Sequence, residues 1–342
     1  MRKYLLPKDG QFYKANLHCH SNYSDGTLEP EEIKRQYMEK GYSIVAYTDH
    51  NVLIAHPELK DENFLPLNGY EIDVGEKKDE NNANKLRKCC HLCFIALEED
   101  NLTQVCWHRG GKYLFGGAPA HQDEVKFDES LPDFVREYSA QGVNEMIRRA
   151  KEGGFFVTYN HPTWSCEDYS NYINYEGMDA MEIVNYACQT EGYAEYNSRV
   201  YDDMLRAGKR IYAVAADDNH NRKAADHPNY DSFGGFVMIK ADKLEYRTIT
   251  KSLESGDFYA SEGPKINELW YEDGKIHIEC DNAKIIDFSC GIRKAKSFRP
   301  ENGGYITSAE YEIPENAVYV RVTVTDENGL HANTRAYFTD EL

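Results

Sequence analysis

The chain has 342 residues, of which 41% are hydrophobic and 28% charged, with a formal net charge of -19. That length and balance suit a folded chain with room for one large domain and a small one, and exclude a disordered chain. The acidic excess argues against duplex nucleic acid held on a basic surface, and no apolar run approaches the length that spans a bilayer.

The first eight residues are basic but lead into no apolar stretch of signal-peptide length. The nine cysteines, an odd count, read as reduced thiols, so a cytoplasmic location is expected. Phe12 to His18 reads as a strand that delivers Asn16-Leu17-His18-Cys19-His20-Ser21-Asn22, followed by Ser24-Asp25-Gly26. Two histidines one residue apart on an extended segment point the same way. Glu29-Pro30-Glu31-Glu32 opens a helix with proline in a tolerated first-turn position. Ile33 and Tyr37 share its buried face and Gly41 ends it. Ser43 to Thr48 is a short apolar strand closing in Asp49-His50, so strand, helix and strand form a parallel unit with polar groups at both strand ends.

Phe64 to Val74 is the next strand and carries Glu71; the polar stretch from Glu76 to Lys88 is expected to be a loop. His91 begins the strand that runs to Leu97, and an antiparallel course would bring it to the rim that Glu71 occupies. The neighbouring Cys89, Cys90 and Cys93 lack a second C-x-x-C pair and read as strand thiols. Residues 98–140 form an insertion expected to lie over the site as a lid. Val143, Ile147 and Ala150 mark one face of a helix from Gly142 to Lys151. Strand Phe155 to Tyr159 ends at Asn160-His161-Pro162. Asp179 to Tyr186 and Arg210 to Ala216 are strands around a helical stretch from Tyr193 to Ala207, and the second ends at Asp217-Asp218-Asn219-His220.

Phe236 to Lys240 is a strand, and Asp242 with Glu245 predicts a capping box for a helix that stops at Gly256. Ser261-Glu262-Gly263-Pro264 marks a domain boundary, giving domains 1–264 and 265–342. Beyond it the pattern is strands and turns only. Asp273-Gly274 signals a hairpin, Val318, Val320, Val322 and Val324 line one strand face, and Asn328-Gly329 makes a turn. The tail is expected to be a small β-sandwich.

Strand–helix alternation with polar groups gathered at one set of strand ends predicts an α/β barrel with an active mouth. The candidate metal ligands are His18, His20, Asp25, His50, Glu71, His91, His161, Asp218 and His220. A lone histidine at a strand end is ordinarily a hydrogen-bonded residue; five strand ends so furnished are a site. His56, His108, His121, His227, His277 and His331 have no such placement. Imidazoles and carboxylates without thiolate suit Zn²⁺, Mn²⁺ or Fe²⁺, and nine ligands exceed what one or two ions need, so three divalent ions are expected.

The ordered motifs Leu17-His18-Cys19-His20-Ser21-Asn22-Tyr23-Ser24-Asp25-Gly26, Tyr47-Thr48-Asp49-His50, Gly69-Tyr70-Glu71, Asn160-His161-Pro162 and Asp217-Asp218-Asn219-His220 resemble the PHP (polymerase and histidinol phosphatase) superfamily of metal-dependent phosphoesterases. The resemblance runs from Asn16 to about Pro264 and implies a distorted (β/α)₇ barrel with up to three metals. It assigns one ion to His18, His20, Glu71 and Asp218, a second to Glu71, His91 and His161, and a third to Asp25, His50 and His220. The expected activity is hydrolysis of phosphate esters of a small metabolite or nucleotide through a metal-bound hydroxide. Asp49 is expected to orient an imidazole, and Arg109, Lys112 and Arg222 to contact phosphate. The rival readings are a metallohydrolase for another ester or an amide, and a non-enzymatic protein that binds through its β-sandwich. The sequence names neither the substrate nor the oligomeric state.

Overall fold

The computed structural model describes residues 2–78, 82 and 86–342, so the loop expected between Glu76 and Lys88 lies partly outside the described residues. Seven strands lie side by side in chain order: Gln11–Asn16, Ile44–Tyr47, Leu65–Gly75, Cys89–Ala96, Phe155–Tyr159, Ala180–Asn185 and Tyr212–Ala216. The first three run parallel, as do the last three. Cys89–Ala96 runs antiparallel to both its neighbours, with Glu71 opposite Cys93 and Asp73 opposite His91. The row curls back on itself. Beyond the first and last strands, Cys19 and Asn219 form a parallel bridge, with Asp218 N donating to His18 O at 2.9 Å and His20 N to Asn219 O at 3.1 Å.

The connections explain which end stays open. Helix Pro30–Glu39 has its proline in the first turn and buries Ile33 and Tyr37 beside Val45, Tyr47 and Phe64. Helix Ala140–Glu152, capped by Ser139, buries Val143, Met146, Ile147 and Ala150 on the outer face of the central strands. Helix Ser198–Arg206 adds Tyr201, Met204 and Leu205 to the same cluster. Inside, Ala15, Leu17, Ile44, Ala46, Leu65, Leu67, Phe156 and Val214 share one apolar cluster. Helix Tyr246–Ser255 adds Ile249 and Leu253, and Tyr246 Oη donates to Ala96 O at 3.0 Å. That helix plugs the end opposite the ligand-bearing strand ends. It starts later than the capping-box spacing predicts: Glu245 is the N-cap residue and its side chain makes no cap bond. Leu244 must first reach the inner cluster, which keeps Asp242 outside the helix.

Strand Gln11–Asn16 also pairs antiparallel with Phe236–Ala241, which leads the sheet through Phe258–Ser261 into His331–Thr334, Tyr319–Thr325 and Ile285–Ser289. A second sheet joins Lys3–Tyr4, Ile266–Glu272, Lys275–Ala283 and Ile306–Glu312. The two sheets share an apolar cluster that includes Leu269, Ile276, Ile278, Ile286, Phe288, Val320, Val322 and Val324. Val318 precedes the strand and is exposed, so it does not share the buried face expected of it. Asp273 and Gly274, both at positive φ (51° and 80°), close the tight hairpin between Glu272 and Lys275. Among the described residues no helix is long and apolar enough to cross a membrane.

Candidate metal centre

The first strand runs on past Asn16 and turns at Ser21 after presenting His18 and His20. Asp49 makes that turn: its carboxylate accepts from Ser21 N at 2.8 Å, Ser21 Oγ at 2.7 Å and Ser24 Oγ at 2.7 Å. It therefore shapes the loop that carries Asp25 rather than orienting an imidazole, because the short side chain is spent on the nearer backbone and hydroxyl donors. Gly26 closes the loop by donating to Ser21 O at 3.0 Å, and a Cβ there would stand 2.4 Å from His20 O. The chain tolerates unfavourable backbone at the same rim. His161 has φ 25° and Asp218 φ 55°, left-handed conformations that cost energy in a non-glycine residue.

All nine candidate side chains meet in one place. His18 Nε2 lies 3.0 Å from His20 Nε2, 3.2 Å from Asp218 Oδ1 and 3.3 Å from Glu71 Oε1. His20 Nε2 lies 3.0 Å from Asp218 Oδ1 and 3.4 Å from Glu71 Oε2. An ion roughly 2.0–2.1 Å from each of four tetrahedral donors would hold them about 3.3 Å apart, so these spacings fit. Glu71 also faces three further rings: His91 Nδ1 at 3.2 Å and His161 Nε2 at 3.3 Å from Oε1, and His50 Nδ1 at 3.1 Å from Oε2. Asp25 Oδ1 has His220 Nε2 at 3.3 Å, His20 Nδ1 at 3.9 Å and His50 Nε2 at 4.0 Å. Three interlocking groups could each hold an ion: His18, His20, Glu71 and Asp218; His50, Glu71 and His91; and His20, Asp25, His50 and His220. His20 and His50 each stand in two groups, whereas the motif resemblance assigns each to one.

The donor chemistry fits a cation. Asp25 Oδ1, His50 Nδ1, Glu71 Oε2 and Asp218 Oδ1 are buried and have no hydrogen-bond partner among the described residues, a costly state for polar atoms unless a ligand takes them. Burial opposes charge on Glu71, yet the rings of His18, His50 and His91 carry it well below the usual carboxylate range. Burial likewise opposes a charged ring at His20, but the facing carboxylates of Asp218 and Glu71 prevail and raise it to about 10. At His50 burial prevails and lowers the ring to about 3.

The donors open into a cavity of about 510 Å³ whose wall includes Phe115, Trp164, Cys188, Arg222 and Lys223. Of the three expected phosphate contacts, Arg222 reaches the mouth, paired with Asp25 Oδ2 at 2.6 Å. Arg109 lies elsewhere, held by Asp133 and the backbone of Glu129 and Leu131 beside a separate cavity. Lys112 does not line the metal cavity; its ammonium sits over Tyr113. The 98–140 insertion is anchored beside the site. Arg136 pairs with Asp73 Oδ1 at 3.2 Å and stacks on Tyr113, Asn51 Nδ2 donates to Tyr113 O, and Phe115 packs on the His50 ring at 4.7 Å. A Cβ on Gly117 would stand 2.2 Å from Asn22 O, so the insertion meets the Ser21–Gly26 loop backbone to backbone. Of the insertion expected to lie over the site, Phe115 lines the cavity.

Groups absent from the sequence reading also touch the centre. Glu195, fully buried, accepts from Trp164 N at 2.8 Å and Thr163 N at 3.1 Å, fixing the turn after His161. Glu182 and Asn185 lie behind His18 and Asp218. Both sit inside the apolar run Ala180–Asn185, and a polar residue interrupting such a run was the available signal.

No curated protein matches the chain. Among solved structures, a two-domain protein from Bacteroides vulgatus ATCC 8482 containing a predicted PHP-like metal-dependent phosphoesterase is 13% identical, with 97% of this chain and 98% of that one covered and a TM-score of 0.45. A candidate metal-dependent phosphoesterase from Bifidobacterium adolescentis ATCC 15703 is 17% identical (65% and 91% covered, TM-score 0.38). An amidohydrolase from Chromobacterium violaceum is 14% identical (71% and 96% covered, TM-score 0.41). At such identities and scores the assignment rests on the sequence match to the PHP domain, which spans residues 16–286. By that match, over most of its length, the chain belongs to the PHP domain family.

Proposed function

We propose that this protein is a metal-dependent phosphoesterase that hydrolyses a small phosphorylated metabolite or nucleotide in the cytoplasm. The observation that carries the reading is the three interlocking donor groups, spaced for divalent ions and open to one cavity. Zn²⁺, Mn²⁺ or Fe²⁺ bound there would lower the pKa of water toward neutrality and polarise phosphoryl oxygens. The chain does the rest. His18, His20, Glu71 and Asp218 hold one position, Glu71 with His91, His161 and His50 a second, and Asp25, His50 and His220 a third. Three dications would carry twice the charge of the three carboxylates Asp25, Glu71 and Asp218, so the centre would stay cationic in an acidic chain and favour a phosphate dianion over an uncharged amide. Arg222 and Lys223, on the cavity wall, supply further positive charge where the ester enters.

The curled strand row supports reading residues 1–264 as a distorted (β/α)₇ barrel, and the paired sheets support reading residues 265–342 as a small β-sandwich. The nine free cysteines suit a reducing compartment. Chelator-stripped protein, tested against a phosphate-ester panel before and after adding Mn²⁺ or Zn²⁺, checks the function. Hydrolysis should appear only with metal, and inorganic phosphate should compete. Turnover of amides alone by the fully loaded protein would sink the phosphoesterase reading and leave a metallohydrolase.

A further inference from the structure

The ring of His18 is held from behind. Its Nδ1 lies 2.7 Å from Glu182 Oε1, both side chains almost fully buried, while its Nε2 faces His20, Glu71 and Asp218. The other oxygen of Glu182 accepts from His161 N at 2.9 Å and from Asn185 Nδ2 at 2.9 Å. Asn185 Nδ2 donates a second time, to Asp218 Oδ2 at 3.1 Å. The orientation of that amide is forced, because Asn185 Oδ1 is occupied by Cys188 N at 3.1 Å, where Asn185 caps the helix Tyr186–Thr190.

A carboxylate only accepts, so His18 must donate to it from Nδ1. Its neutral ring then has a bare Nε2, the form a metal requires, and that nitrogen points at the donor group. We propose that Glu182, supported by Asn185, is a positioning residue that locks His18 in the Nδ1–H tautomer and ties His18, His161 and Asp218 into one brace. The inference rests on the metal-centre reading above. It adds that donors of two adjacent ion positions share a single support, since His18 and Asp218 serve one and His161 the other. The same contact holds His161 in its left-handed backbone conformation, because His161 N–H has Glu182 Oε2 as its acceptor.

Glu182→Gln separates this role from packing, because it preserves shape and removes one acceptor. The glutamine oxygen goes to the side with two donors, His161 N–H and Asn185 Nδ2. Its amide then faces His18 Nδ1, which can accept only with the proton moved to Nε2, where it blocks the metal. Zinc affinity, measured by competition with a chromophoric chelator, should fall about 10- to 100-fold in E182Q, with the metal-free circular dichroism unchanged. In zinc-loaded wild-type protein with ¹⁵N-labelled histidine, His18 should show a slowly exchanging, hydrogen-bonded Nδ1–H. Wild-type zinc affinity in E182Q overturns the brace. If E182Q does not fold, the wild-type spectrum decides alone, and a His18 without a proton on Nδ1 overturns it. A wild-type protein that binds no zinc removes the metal-centre reading itself, a different failure from a zinc-loaded protein indifferent to Glu182.

Discussion

Glu71 is the most connected donor of the cluster, facing His18, His20, His50, His91 and His161 within 3.4 Å. Glu71→Ala should therefore empty more than one position. Metal content by elemental analysis should fall below one equivalent, and affinity should drop by more than the roughly 100-fold that outer partners cost. His121→Ala should change neither metal nor turnover, since His121 is stacked on Tyr23 and paired with Glu124. At the mouth, Arg222→Ala should lower kcat/KM for a phosphate ester about 10- to 100-fold, the loss of one charged hydrogen bond. Arg109→Ala should leave it unchanged, because that side chain serves another surface. Steady-state kinetics on the metal-loaded variants compares the two. At this scale the cluster of nine side chains was legible because polar groups recur at five strand ends, where a single imidazole would have been ordinary. Glu182, Asn185 and Glu195 were not, because their meaning depends on which atoms face them across the sheet. Asp49 was misread for a related reason: adjacency to His50 in sequence says nothing about which donors its carboxylate meets.

Among the elements, helix Pro30–Glu39 and the Asp273-Gly274 hairpin followed from local rules: first-turn proline, apolar spacing and a two-residue turn. The insertion did not, since its anchor is a long-range ion pair. Arg136→Met should leave Asp73 charged without its partner. Asp73 keeps part of its surface open, so the loss should fall short of the 3–5 kcal/mol of a fully buried pair, at about 2 kcal/mol by denaturant titration. Glu167 offers a pH test in another element. Three tyrosines, Tyr138, Tyr159 and Tyr175, donate to its carboxylate. Burial nevertheless raises its pKa above the usual value of 4.5. The folded state thus holds this proton more tightly than the unfolded one. The stability it contributes is full below pH 4.5 and is lost as pH rises through the raised value. Wild-type protein should accordingly lose stability relative to Glu167→Gln on moving from pH 4.5 to 8, measured by urea midpoints at each pH. Equal pH dependence in the two proteins would count against a raised Glu167.

For the whole molecule, the sequence boundary at Pro264 does not coincide with a break in hydrogen bonding. Lys3–Tyr4 pairs with Trp270 and Tyr271, and Tyr259 to Ser261 pair with residues 332–334. Arg321, itself buried, reaches Asp202 on helix Ser198–Arg206 at 2.8 Å. A chain ending at Pro264 should therefore aggregate, because it bares an apolar face and unpaired strand edges together. Light scattering of the soluble fraction tests this, and a monomeric, cooperatively melting 1–264 fragment would contradict it. The pairing of Gln11–Asn16 with Phe236–Ala241 carries a consequence for synthesis. That strand delivers His18 and His20, yet one of its hydrogen-bonded neighbours is translated more than two hundred residues later. Contacts of such separation fold slowly and leave the early strands without their partners while the ribosome works. The donors themselves are spread from His18 to His220, so the full set exists only after the strands that carry Asp218 and His220 have been made. Cation uptake by all three groups should consequently wait for those late strands, and refolding from denaturant should set the pace at which added Mn²⁺ or Zn²⁺ is captured.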